Sequence, residues 1–263
     1  MKTHPPMLRR LVVALGIFAT CTVACAQATL TSVPLAFKSR TVVLVHGFFA
    51  DGSGWKDVIE RLQAAHVNVV AVQNPLTSLA ADVEATRRVV DRLPGPVVLV
   101  GHSYGGFVIT NAGVDPKVVS LVYVAAFAPD VGETIDTLLA GYPTPPWEAK
   151  LVADDAGGLT LTESDYVRYF APDLPSNESR AFSATQGASS GTLFADPATA
   201  ASWHTLPSWY VLAEDDQIID PDAQRFMSSR IHAKVTRVRS SHSVMVSHPD
   251  VVAAVIVEAF LHP

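Results

Sequence analysis

Val97-Val98-Leu99-Val100-Gly101-His102-Ser103-Tyr104-Gly105-Gly106 is the stretch whose reading decides the rest. Four apolar, mostly β-branched residues read as a buried strand. Gly101 to Gly105 then fits G-x-S-x-G, and Phe107 to Ala112 continues as an apolar helix opening on small residues. Strand, sharp turn and helix form the context in which that motif carries meaning. Such a turn forces Ser103 into a cramped backbone conformation and leaves its hydroxyl exposed at the tip. Glycines two residues to either side leave room where side chains would clash.

Working outward, the same rhythm repeats. Buried strands are expected at 41–46 and 118–125, and further strands at 68–72, 208–213 and 233–238, with a short lead-in, read as an edge strand, at 27–40. Helices are expected at 53–65, with Ser53 as cap, and at 78–93, capped by Ser78, then at 221–231 and 249–261. Between 132 and 206 the rhythm breaks. Proline, glycine, serine and aromatics are dense there, with short helices expected at 164–170 and 197–203 and no strand of the earlier kind. The expected class is therefore α/β: a mostly parallel, doubly wound sheet covered on both faces, with a helical insertion at about 132–206. Ligands in such sheets sit beyond the carboxyl ends of the strands. His46, Ser103, Phe127, Asp215 and Asp216 all lie just past strand ends and should converge.

The chain has 263 residues, 49% of them apolar and 17% charged, with a net charge of −6. It can bury a large core in one domain. It has no basic stripe, which argues against a nucleic-acid partner. The first ten residues carry Lys2, Arg9 and Arg10 and no acid, Leu11 to Ala24 is uncharged and mostly apolar, and Ala24-Cys25-Ala26 fits A-x-A. Residues 1–26 thus read as a secretory signal peptide, too short for a comfortable membrane span. Export to the periplasm or the medium is expected. A lipoprotein anchor ranks lower, because Thr22 stands where a lipobox prefers leucine. Cleavage after Ala26 removes Cys21 and Cys25, the only cysteines. The mature chain, residues 27–263, then has no disulfide and no thiolate chemistry.

A serine hydroxyl is a weak nucleophile and needs a base, which needs an orienting acid. His242, in Ser240-Ser241-His242-Ser243 after the last strand, is the candidate base. The acid candidates lie in Glu214-Asp215-Asp216, with Asp130 a remote alternative. The tetrahedral intermediate needs backbone N–H donors. The expected pair is Tyr104, directly after the nucleophile, and Phe48, in the loop after the first strand. His46 is read as a structural, hydrogen-bonding histidine. The remaining histidines show no metal-ligand spacing, and Gly52-Ser53-Gly54 lacks the third glycine of a nucleotide fingerprint. No metal and no cofactor are expected.

The segments HGFFADGSGW (46–55), GHSYGG (101–106), YVAAFAPDVGET (123–134), AEDDQIIDP (213–221) and SSH (240–242) together resemble the α/β-hydrolase superfamily over residues 41–261. More narrowly, the chain is similar to small-molecule esterases related to plant methyl-esterases and hydroxynitrile lyases. The resemblance implies Asp216 rather than Asp215 as the acid, and a cap over the site formed by the insertion, with Ser190 to Phe194 part of it. The lyase branch carries a threonine after the first-strand histidine and a lysine after the catalytic histidine. Here those positions are Gly47 and Ser243, which favours ester hydrolysis over cyanohydrin cleavage. The expected substrate is a small apolar or aromatic ester, held by Phe49 and Phe127 with Leu138, Leu139, Trp147, Phe182 and Phe194 from the cap. A lactonase, perhydrolase or lyase on the same triad, or a slow-turnover ligand sensor, are the alternatives.

Overall fold

The computed structural model describes Met1 and residues 39–263. The expected signal segment and most of the lead-in lie outside the described residues. The chain begins with β1 (Thr41–Val45), α1 (Lys56–Ala64), β2 (Asn68–Val72), α2 (Leu79–Asp91), β3 (Val97–His102), α3 (Gly105–Ala112) and β4 (Val118–Val124). The insertion holds α4 (Ile135–Leu139), β5 (Leu151–Ala153), β6 (Gly158–Leu161), α5 (Glu163–Asp165), a π-helical turn (Tyr166–Phe170), α6 (Ser176–Ser183) and β7 (Ser189–Ser190). The rhythm resumes with β8 (Ser208–Ala213), α7 (Pro221–Arg230), β9 (Lys234–Val238), α8 (Val244–Ser247) and α9 (Pro249–Leu261).

Six strands form one sheet in the order β2-β1-β3-β4-β8-β9, and every pairing is parallel. Alternation along each strand feeds two cores. Val42, Leu44, Val98, Val100, Val122 and Val124 face one side, against Trp55, Val58 and Leu62 around α1 and Val252 and Ile256 of α9. Val43, Val45, Leu99, Leu121 and Tyr123 face the other, against Val83 and Val90 of α2, Ile109 of α3 and Met227 of α7. Burial on both faces is why these strands read as unbroken apolar runs. The chain passes from β1 to β2 on one side, then crosses to β3 on the other. That reversal opens a crevice at the carboxyl ends of β1 and β3.

The insertion corrects one expectation. It is not purely helical: β5, β6 and β7 pair antiparallel into a small sheet. Strands of two to four residues are too short to show a period. The β5–β6 turn is built by Asp154, whose Oδ1 accepts the N–H groups of Ala156 and Gly158, both at 2.8 Å. Gly157, at φ +81°, takes the left-handed position that a side chain disfavours. Of the helix expected at 197–203, only a single turn at Ser202–His204 forms. The insertion is tied down by the Ser190 N–H on the Leu76 carbonyl (2.8 Å) and by Asn111 Oδ1, which accepts from Thr199 and Ala200 N–H.

At the opposite edge of the sheet, where β1 begins, the Arg40 guanidinium donates to the Phe260 carbonyl near the end of α9. Among the described residues no helix is long and apolar enough to cross a membrane.

Candidate active site

The turn after β3 has the geometry that its glycines imply. Ser103 sits at φ +56°, a left-handed conformation costing on the order of 1–3 kcal/mol for a residue with a side chain. The surroundings hold it there. Ser103 N–H donates to the Val124 carbonyl at 3.2 Å, and its carbonyl accepts from Gly106 and Phe127 at 3.0 and 3.1 Å. A Cβ on Gly105 would stand 2.5 Å from the Val45 carbonyl oxygen, and one on Gly47 would stand 2.6 Å from Ser103 Cβ. The backbones of β1 and the turn touch here, and only glycine fits.

His242 lies past β9 and is wholly buried. Its Nδ1 is 2.7 Å from Asp216 Oδ2. A carboxylate only accepts, so Nδ1 carries the proton and Nε2 keeps a lone pair. Among the described residues the buried Nε2 has no hydrogen-bond partner, and Ser103 Oγ does not yet bond to it. Such contacts commonly tighten only with substrate in place. Asp216 is itself held: Oδ1 accepts from Ile218 N–H (2.7 Å) and Ile219 N–H (3.1 Å), and Oδ2 accepts from the Gln224 amide (2.8 Å). Asp215 is exposed. Asp130 pairs with His204 at 3.1 Å on the surface. Neither meets His242.

Phe48 and Tyr104 are buried, and among the described residues their N–H groups have no backbone or side-chain acceptor. Their rings stack with centroids 4.3 Å apart and 17° between planes. His46 is fully engaged: Nδ1–H donates to the Gly47 carbonyl at 2.9 Å, and Nε2 accepts Asn74 N–H at 2.9 Å. Burial lowers its pKa, against smaller opposing effects of the Gly47 bond and Asp51. A neutral imidazole wired at both nitrogens is a structural histidine.

His102 Nε2–H donates to the His242 carbonyl at 3.0 Å, with ring centroids 4.6 Å apart. Burial, and then His242 beside it, hold its pKa well below the ordinary value. It therefore stays neutral under the base. From the insertion, Phe170 sets its ring edge-on to His242 at 4.8 Å. Asp173 accepts from Ser240 Oγ (3.0 Å), Ser241 N–H (3.0 Å) and Ser241 Oγ, pinning the insertion to the histidine loop. Burial alone would raise the Asp173 carboxyl, but these bonds outweigh it and hold it below the usual range.

Ser103 opens into a narrow apolar recess that Phe48, Phe49, Phe127, Ile135, Leu139, Trp147, Phe170, Phe194 and Ile218 line. It adjoins a wider groove with a cavity volume of about 360 Å³, with which it shares Ile135, Leu139, Phe194 and Ile218. Leu138 is not in the lining and packs into the core. Leu138 lies about 100° round α4 from Leu139, which turns it from the recess into the core. Phe182 lines a separate small cavity behind Phe170. Reading the sequence missed Ile135, Ile218, Phe170, Asp173 and Gln224. Gln224 lies one turn into α7 behind the Asp220–Pro221 cap, the one signal pointing near it. The others carry no motif. Among the described residues no group of three or more His, Cys, Asp or Glu could hold a metal.

Comparison with known proteins shows the family and the fold. The alpha/beta hydrolase family profile matches residues 42–255. "Alpha/beta hydrolase nvfD" of Aspergillus novofumigatus is 29% identical over 239 residues, covering 82% of this chain and 94% of that protein. "Methylesterase 2" of Arabidopsis thaliana is 25% identical over 230 residues, covering 72% and 83% respectively. The solved structure of a pyrethroid hydrolase from Sphingobium faniae superposes with a TM-score of 0.72 at 21% identity, covering 85% of this chain and 98% of that one, which shows a shared fold. The profile match over most of its length places the chain in the alpha/beta hydrolase family, and its relatives there include esterases.

Proposed function

We propose that the chain is an exported serine hydrolase that cleaves small apolar or aromatic carboxylic esters through Ser103, His242 and Asp216. The observation that carries this is the buried His242, with Nδ1 on Asp216 at 2.7 Å and Nε2 unpartnered, on the same sheet edge as the strained Ser103. In this reading Ser103 Oγ attacks the ester carbonyl carbon while its proton passes to His242 Nε2. Asp216 fixes the tautomer and stabilises the imidazolium. The N–H groups of Phe48 and Tyr104 receive the oxyanion. Collapse expels the alcohol, which takes the proton from His242. Water, deprotonated by His242, then attacks the acyl-enzyme and frees the acid.

The aromatic recess supports an apolar acyl or leaving group, and the likeness to Methylesterase 2 supports ester chemistry. A cyanohydrin lyase is disfavoured because that branch carries a threonine and a lysine where this chain has Gly47 and Ser243. Export rests on residues 1–26 and is tested by the N-terminus of the secreted product. The activity is tested with p-nitrophenyl esters from acetate to octanoate. Turnover by the wild type that Ser103→Ala abolishes is the expected result. A folded wild type without turnover on any of them sinks the esterase reading and leaves lactones, peracid formation and ligand binding to be tried.

A further inference from the structure

The buried polar group that this mechanism leaves unused is Asp82. It lies in the first turn of α2 and is 0% exposed. Among the described residues no cation pairs with it. Its Oδ2 accepts the Tyr104 hydroxyl at 2.8 Å, and its Oδ1 accepts Leu76 N–H at 2.8 Å. Burial pushes its carboxyl up to about 6 despite those two bonds, with a small further rise from Asp196. An unpaired carboxylate in such a place works against stability. Its partners are what it contributes.

Both bonds lead to the oxyanion donors. Tyr104 directly follows the nucleophile, and its ring stacks on Phe48 at 4.3 Å, so anchoring the phenol end fixes the rotation of both. Leu76, held at φ +55°, belongs to the 73–78 loop. Two residues earlier in that loop, Asn74 N–H and side-chain amide grip His46 at Nε2 (2.9 Å) and at the carbonyl (2.8 Å). His46 and Gly47 lead directly into Phe48. One carboxylate therefore braces Tyr104 through its hydroxyl and the Phe48 loop through Leu76.

Resting on the serine-hydrolase reading above, we propose that Asp82 is a positioning residue that holds the Phe48 and Tyr104 N–H groups in their oxyanion-binding geometry. A carboxylate suits the task because it accepts from both donors at once. An asparagine could accept from Leu76 but would turn its NH2 toward the tyrosine hydroxyl and reverse that bond.

The test is a double-mutant cycle on the purified chain with p-nitrophenyl butyrate at pH 7.5: wild type, Ser103→Ala, Asp82→Asn, Tyr104→Phe and the Asp82→Asn/Tyr104→Phe double. Removing an oxyanion donor outright costs about 100- to 1000-fold in kcat, so a misaimed donor should cost about 10-fold. The expected result is that each single variant loses about that much in kcat with KM within twofold, and that the double loses no more than the worse single. The urea midpoint of Asp82→Asn should be no lower than that of the wild type, which a merely structural aspartate would not allow. Wild-type kcat in Asp82→Asn, multiplying losses in the double, or a kcat loss that tracks a lowered midpoint would each overturn the proposal. If Asp82→Asn does not fold, Tyr104→Phe decides alone: wild-type kcat there overturns it. Ser103→Ala separates the two levels. Activity surviving in it refutes the serine mechanism itself, whereas an inactive Ser103→Ala beside an unaffected Asp82→Asn refutes only the role of Asp82.

Discussion

The two walls of the recess are built on different terms. The sheet wall comes from the ends of β1, β3, β4 and β8, and its acid and its structural histidine are fully engaged. Asp216 accepts three hydrogen bonds besides that of His242, and His46 is bonded at both nitrogens. The backbone there is strained at Phe49 (φ +56°), Ser103 (φ +56°) and Ala125 (φ +42°), and glycine is obligatory at Gly47 and Gly105. The cap wall is Ile135, Leu139, Trp147 and Phe194, carried on one-turn elements and joined to the rest by a few bonds, such as the Trp147 indole N–H on the Ile218 carbonyl at 3.2 Å. One wall fixes angles and the other fills space. Chemistry should therefore collapse when the sheet wall is touched, whereas the cap wall should tolerate exchange and change selectivity.

The largest effect tests the first half of that contrast. Ser103→Ala should lose at least about 10^4-fold in kcat/KM. Asp216→Asn should lose about 10^3- to 10^4-fold in kcat through the wrong histidine tautomer, while Asp215→Asn stays within twofold. Kinetics in which Asp215→Asn does the damage would break the assignment. Next comes pH. The native Asp82 carboxyl titrates near 6, above the roughly 3.9 of an unfolded aspartate. The folded state therefore binds this proton more tightly, and the associated stability is full below about pH 4 and lost as pH rises through 6. Wild type should lose on the order of 1–3 kcal/mol relative to Asp82→Asn between pH 4.5 and 7.5, read from urea curves at both values.

On the cap wall, Phe194→Ala should shift the preferred acyl length by up to about tenfold in relative kcat/KM, with kcat for acetate within a few-fold. A uniform collapse for every ester would erase the difference between the walls. The smallest effect is expected where they join. Asp173→Ala should cost about 1 kcal/mol and speed proteolysis within the cap. Its carboxyl is held low, so this support is present above the unfolded aspartate range and fades as pH falls through the lower native value. Equal protease resistance in the two proteins would show that the clamp does not hold the cap.

The same division governs what could be read from the chain. The strands were legible because a parallel sheet buried on both faces leaves continuous apolar runs such as TVVLV and VVLV. The meeting of Asp216 and His242 was legible because each lies past the carboxyl end of a strand. In the cap, strands of two to four residues and one-turn helices carry no period, so β5 to β7 were missed and Leu138 was expected in the lining beside its neighbour Leu139. Asp82, Phe170, Asp173 and Gln224 were illegible for another reason. Each matters only through partners that the fold brings from distant positions, and nothing local marks it. Residues 1–26 remain an expectation of export that their sequence alone supports.

The Arg40–Phe260 bond has a practical corollary. It brings the start of β1 and the end of α9 together at the sheet edge farthest from the catalytic mouth. A tether fused after α9 would leave that mouth facing outward, which makes this end a natural handle for immobilisation on a bead or a cell surface. In a chain trimmed to begin at Ser39, a short peptide could splice the start of β1 to the end of α9, and new termini could be opened in an exposed cap turn such as Asp154–Gly157.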